Sequence, residues 1–136
     1  MQPADMVHPP VYGLPELRAQ IAAYLQVSRG INCSPSQIFV TSGYRHTFEL
    51  ISHALLKEGD RVWLENPGYP PTRDLLELMN IGAVPVPVDD DGMMVGEAIR
   101  LAPKARAAVV TPAHQSPLCV SLSLPRRLAL LAGLGA

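Results

Sequence analysis

The sequence predicts an α/β domain with a mainly parallel sheet, on three observations. Short apolar runs at residues 38–41, 61–65, 83–88 and 107–111 alternate with stretches of helical periodicity. The run at 107–111 is apolar almost throughout, as strands covered on both faces of a parallel sheet are. The 136 residues are 48% hydrophobic, and 11 basic side chains nearly balance 12 acidic ones. That composition can bury a core and is not that of a disordered tail.

Each element has a local reason. Residues 1–13 are Pro-rich, and His8-Pro9-Pro10 disfavours helix before each proline, so they read as an extended N-terminal segment ahead of the domain at 14–136. Pro15 suits an early helical position; Leu17, Ile21, Tyr24 and Leu25 form a stripe behind it, and Gly30 ends the helix. Ser34-Pro35-Ser36 turns the chain into the run at 38–41. A second helix starts at Tyr44, carries Phe48, Ile51 and Leu55 on one stripe, and runs to about Lys57 before Gly59-Asp60. After the strand at 61–65, the segment 66–71 (Asn-Pro-Gly-Tyr-Pro-Pro) is read as neither helix nor inner strand. Thr72 is expected to cap a third helix whose buried side is Leu75, Leu76, Leu78 and Met79. Pro85 and Pro87 suit an edge position for the run at 83–88. A turn at 89–92, a short helix at 95–102, a strand at 107–111 and a loop at 112–123 follow. Leu124-Pro125 opens a last helix with Leu128, Leu130 and Leu131.

Several function classes drop out. Basic residues are outnumbered and cluster no further than Arg126-Arg127, so this segment is not expected to touch nucleic acid. No apolar run is long enough to span a bilayer, and the N-terminus lacks a signal-peptide pattern. Cys33 and Cys119 are isolated and read as free thiols of a cytoplasmic protein. The acidic turn 89–92 fails as a calcium loop, because aligning Gly92 with the required glycine puts Pro87 and Ala98 at ligand positions. No metal site is expected. GxSxG, GxxxxGK[ST], GxGxxG and HExxH are all absent.

In such sheets ligands sit at the carboxyl ends of the strands. Three loops there carry chemistry. Thr41-Ser42-Gly43-Tyr44 turns from an extended run into a helix, whose start offers N–H donors and a positive dipole end to a phosphate. A plain N-cap is the competing reading. Asn66-Pro67-Gly68-Tyr69 offers an aromatic face, unless Tyr69 packs in the core, as Trp63 is expected to. The loop at 112–117 offers His114 and Gln115, with a plain loop hydrogen bond the competing reading for His114. Together they fit a flat, phosphorylated, heteroaromatic ligand. His46 either faces the pocket or neighbours it; His53 reads as helix surface.

With these segments assembled, the chain resembles fold-type I, pyridoxal-phosphate (PLP) dependent aminotransferases of class I/II. It looks most like the aminotransferase-like domain of MocR-type members of the GntR regulator family. The resemblance runs from about Gly13 to Leu131. Its carriers are Gly13-Leu14-Pro15-Glu16-Leu17-Arg18, Gln37-Ile38-Phe39-Val40-Thr41-Ser42-Gly43, Gly59-Asp60-Arg61-Val62-Trp63, Glu65-Asn66-Pro67-Gly68-Tyr69-Pro70 and Thr111-Pro112-Ala113-His114-Gln115-Ser116-Pro117. It implies part of a PLP-dependent transferase-like large domain. It further implies that Ser42, Gly43 and Tyr44 hold the cofactor's phosphate, that Tyr69 stacks on its ring, and that Gln115 lies near the ring hydroxyl. The His-Gln form, where the enzymes usually have Asn-Pro, points to the regulator branch.

The departures carry weight too. Arg45 and His46 replace small or amide residues, Cys119 replaces a glycine, and His8 stands where a tyrosine of the neighbouring subunit often reaches the phosphate. The family's Schiff-base lysine, the acidic partner of the ring nitrogen and the substrate-carboxylate arginine are expected beyond residue 136. Lys57 and Lys104 match no lysine motif, so no catalytic residue is assigned. The family's strand order would also leave 38–41 without sheet neighbours. A PLP-binding piece of an aminotransferase or transcription regulator, with dimeric relatives, is the leading expectation. A small α/β module binding a phosphorylated metabolite and a ligand-free gene remnant are the alternatives.

Overall fold

The computed structural model describes residues 10–134. The chain divides into two compact units, Met1–Thr47 and Phe48–Ala136.

The first unit is held mainly by hydrogen bonds. Helix α1 (Pro15–Arg29) starts on its proline and stops at Gly30, which adopts φ 67° and donates its N–H to Gln26 O. A 3-10 turn, Pro35–Gln37, follows, with Ser34 N–H donating to Gln37 Oε1 at 2.9 Å. The strand expected at 38–41 does not form among the described residues. No neighbouring strand is there to receive it, so its polar groups are satisfied locally. Val40 N–H donates to Tyr12 O at 3.0 Å, and Arg18 Nε to Ile38 O at 2.9 Å. The Tyr12 and Phe39 rings meet edge to face at 5.1 Å, and the Arg18 guanidinium lies 5.8 Å from the Tyr12 ring centre. Ala22 is the one buried apolar residue described in this unit, while Phe39 is 62% exposed.

Helix α2 (Tyr44–Leu55) contains the boundary between the units. The second unit is a four-stranded sheet with helices on both faces. Its elements are β1 (Arg61–Asn66), α3 (Pro70–Leu78), β2 (Gly82–Asp89), β3 (Gly92–Met93), α4 (Val95–Leu101), β4 (Ala107–Val109) and α5 (Leu124–Leu134). The sheet order is β3-β2-β1-β4, with β1 parallel to both β2 and β4 and β3 antiparallel to β2. Alternation along β1 sends Val62 and Leu64 to a layer formed with Phe48, Leu75, Leu76 and Ile81. It sends Trp63 to the opposite layer, with Val84, Val86, Met93, Ala98, Leu122 and Leu130. Trp63 is fully buried and its Nε1–H donates to Ala102 O at 3.0 Å, which satisfies the one polar group such a side chain carries inward.

Two expectations about the prolines meet different outcomes. Pro70 and Pro71 are helical, and Tyr69, not Thr72, is the N-cap of α3; Thr72 lies buried in the first turn. Proline fits there because first-turn N–H groups have no partner within the helix. Leu78, assigned to the buried side, is 73% exposed at the helix end. Pro85 and Pro87 lie in β2, whose outer side is paired only at Val88 and Asp89. Pro87 O accepts Met94 N–H at 2.9 Å on that outer side, so its nitrogen also points outward, and Pro85 shares its parity.

The turn at 90–91 is solvated and holds no metal cluster; among the described residues no such group of ligands occurs. Both cysteines are free, and no described helix is long and apolar enough to cross a membrane.

Candidate functional site

The phosphate candidates lie in the first unit. Gly43 has φ 116°, a backbone conformation that side chains disfavour, and a Cβ there would meet nothing within 4 Å. The turn into α2 is therefore open where a Gly43 Cβ would stand. Ser42 and Gly43 are exposed and Tyr44 is 47% exposed. His46 folds back over this turn. Its Nδ1 accepts the Ser42 N–H at 3.3 Å and lies 2.9 Å from Ser42 Oγ. Thr47 N–H and Oγ1 both donate to Gly43 O at 3.0 Å, and Thr41 Oγ1 pairs with Thr47 Oγ1. His46 is thus neither core nor bare surface: it holds the two Ser42 groups that a phosphate would take. These donors fit a dianionic ester, which makes charge-assisted hydrogen bonds with N–H and O–H groups. His8 lies outside the described residues.

The ring candidates lie in the second unit and are tied to each other. Gln115 is 1% exposed, and its Nε2 donates to Pro67 O at 2.7 Å while its Oε1 accepts Leu118 N–H at 3.1 Å. Its amide therefore joins the loop after β1 to the loop after β4. Tyr69 is 57% exposed, not core. Arg127 braces the second loop, donating to Pro112 O and Leu122 O at 3.0 and 2.9 Å. His114 is exposed, with φ 56°. Trp63, as expected, is core, and His53 is surface. Lys57 and Lys104 are exposed and flank α2 and β4.

Glu65 escaped the sequence reading. It lies at the carboxyl end of β1, 9% exposed, with Oε2 accepting Thr111 N–H at 3.2 Å and Oε1 buried without a hydrogen-bond partner. Burial pushes its carboxyl above the usual glutamate value of 4.5, opposed by the Thr111 backbone N–H and the nearby Gln115 and Thr111 side chains. The signal available in the sequence was a lone acid in an apolar strand, on the same alternation as Trp63. A raised folded-state value means that the folded protein holds this proton more tightly than the unfolded chain does. The resulting stability is fully present below pH 4.5 and is lost as pH rises through the folded-state value. Glu65→Gln should therefore gain stability relative to the parent protein across that rise, in urea titrations run from pH 4 upward. A difference that stays constant with pH would refute the assignment.

Compared with known proteins, residues 2–130 match the family described as aminotransferase class I and II. The chain belongs to this family. Among curated relatives, the probable rhizopine catabolism regulatory protein MocR of Rhizobium meliloti is 38% identical over 121 residues, covering 89% of this chain and 24% of that protein. Among solved structures, an archaeal alanine:glyoxylate aminotransferase superimposes with a TM-score of 0.88 at 34% identity, over 96% of this chain and 34% of that one. The alpha-aminoadipate aminotransferase of Thermus thermophilus, solved with N-(5'-phosphopyridoxyl)-L-leucine, gives 0.77 at 25% identity, over 92% of this chain and 31% of that one. The chain thus spans about a quarter of its curated relative and a third of these structures. The fold of this family member is a partial aminotransferase-type α/β domain, its sheet mostly parallel.

Proposed function

We propose that this chain is a piece of an aminotransferase-like domain that supplies phosphate and ring contacts of a PLP site without the lysine that carries the cofactor covalently. Family membership and the phosphopyridoxyl ligand of a solved relative support the cofactor. The single observation that carries the reading is the turn at Gly43, where a Cβ would meet nothing and where exposed Ser42 has an N–H and a hydroxyl, both now on His46 Nδ1, that a phosphate would take over. Bound PLP supplies an aldehyde and an electron-withdrawing ring. The residues of this chain bind and orient it: Ser42, Gly43 and Tyr44 hold the phosphate, Tyr69 covers a ring face, and Gln115 stands at the ring hydroxyl. Neither Lys57 nor Lys104 is assigned a bond to the cofactor. Binding is reversible, and the chain alone does not turn over substrate. In this reading the parent protein is a cytoplasmic dimer, and this segment does not itself contact nucleic acid.

The test is a PLP titration followed by borohydride reduction and peptide mapping. A saturable complex that leaves no lysine adduct is expected. A stoichiometric adduct at Lys57 or Lys104, or phosphate-ester binding that ignores the pyridine ring, would overturn the reading.

A further inference from the structure

We propose that Glu65 is a positioning residue which, with Gln115, fixes the loop presenting Tyr69 by strapping the end of β1 to the chain leaving β4. The strap stands on its own geometry; what it serves, the placement of Tyr69 over a ring, rests on the proposed function.

A carboxyl is a poor choice for packing, because its burial carries a desolvation cost that an aliphatic side chain avoids. Here the cost is visible, since Oε1 is buried and unpartnered. What the side chain gains is a long-range hydrogen bond, from Thr111 N–H to Oε2, across 46 residues of sequence, with the Gln115 and Thr111 side chains beside it. Two residues further on, Pro67 O is held by Gln115 Nε2 across 48 residues. Both ties run between the same two segments, and both lie immediately ahead of Tyr69. Between them and Tyr69 stands Gly68, where a Cβ would clash with Glu65 O, so the loop doubles back tightly on Glu65 itself. Beyond Tyr69, Pro70 and Pro71 start α3, and Thr72 N–H donates to Tyr69 O at 3.2 Å. Tyr69 is thus set between a double tie on one side and a proline-started helix on the other. Gln115 is anchored in this framework through its backbone as well, accepting Cys119 N–H and donating to Val120 O.

The experiment compares amide hydrogen exchange in the whole chain for the parent protein, Glu65→Met and Glu65→Gln. Met keeps the volume and removes the acceptor; Gln keeps an acceptor for Thr111 N–H. Expected is exchange about tenfold faster at Gly68, Tyr69 and Thr111 in Glu65→Met, as loss of a hydrogen bond to a charged group implies. Val62 and Trp63 should be unchanged, and Glu65→Gln should restore the slow rates. Unchanged exchange at Gly68 and Tyr69 in Glu65→Met, or faster exchange spread over all of β1, overturns the proposal. PLP is then titrated into the same three proteins. If the parent protein binds no PLP, the cofactor reading falls, and the exchange result alone decides the strap. If it binds, weaker binding by Glu65→Met with recovery in Glu65→Gln supports the role in placing Tyr69. Equal affinity in all three denies it.

Discussion

Replacing Trp63 by alanine is expected to abolish cooperative folding of the sheet-bearing unit. Trp63 is fully buried in the central strand and is the largest side chain of its layer. It packs among residues from β2, β3, α4, α5 and the loop before α5, so its removal leaves a void that no single element can close. Losing a buried tryptophan in this way costs about 3–5 kcal/mol. A whole domain is stable by roughly 5–15 kcal/mol, and a small one sits near the lower end. Trp63→Phe should be milder. It keeps most of the ring and removes one of the donors to Ala102 O, which retains Ala105 N–H, a loss of about 0.5–1.5 kcal/mol. Thermal or denaturant unfolding followed by near-ultraviolet circular dichroism ranks the three proteins. An alanine variant that melts within a few degrees of the parent would refute the assignment of Trp63 as the anchor of that layer.

Ser42→Ala should weaken PLP binding by about 10–100-fold. The hydroxyl is exposed and lies within hydrogen-bond distance of His46 Nδ1, so its loss should change stability by no more than about 0.5 kcal/mol. A hydrogen bond to a charged group contributes about 1.5–3 kcal/mol, and 1.4 kcal/mol is a factor of ten in affinity. Stability and affinity therefore separate at this residue, and the effect on binding is not a side effect of unfolding. The measurement is a fluorescence titration with PLP beside a denaturation curve for each protein. Affinity equal to that of the parent would remove Ser42 from the phosphate contacts.

The parts of the fold that are visible in the sequence are those governed by local rules. Pro15 and Gly30 mark the ends of α1, and the alternation of Val62, Trp63 and Leu64 divides β1 between two layers. Where sequence reasoning failed, a local rule met a more permissive one. The segment 66–71 reads as neither helix nor inner strand, yet the first turn of α3 accepts Pro70 and Pro71. The apolar run at 38–41 reads as a strand, but β structure needs a partner, and its polar groups turn to Tyr12 and Arg18 instead. The candidate residues Ser42, Tyr69 and Gln115 were found through turn chemistry and family likeness. What the Glu65 side chain touches is not legible in the sequence, because the N–H it accepts belongs to Thr111, 46 residues away. The fold-back of His46 onto Ser42 follows helix-cap spacing, but nothing in the sequence says that an imidazole would serve as acceptor there.

The two prolines of β2 have a consequence for how the sheet meets other molecules. With Pro85 and Pro87 facing away from β1, that flank lacks two of the N–H groups an incoming peptide would need to extend the ladder. A foreign strand arriving from that direction finds carbonyls but few donors, which disfavours fibril-like growth there. Among the described residues β4 pairs only with β1, so the opposite flank is the one open to recruitment.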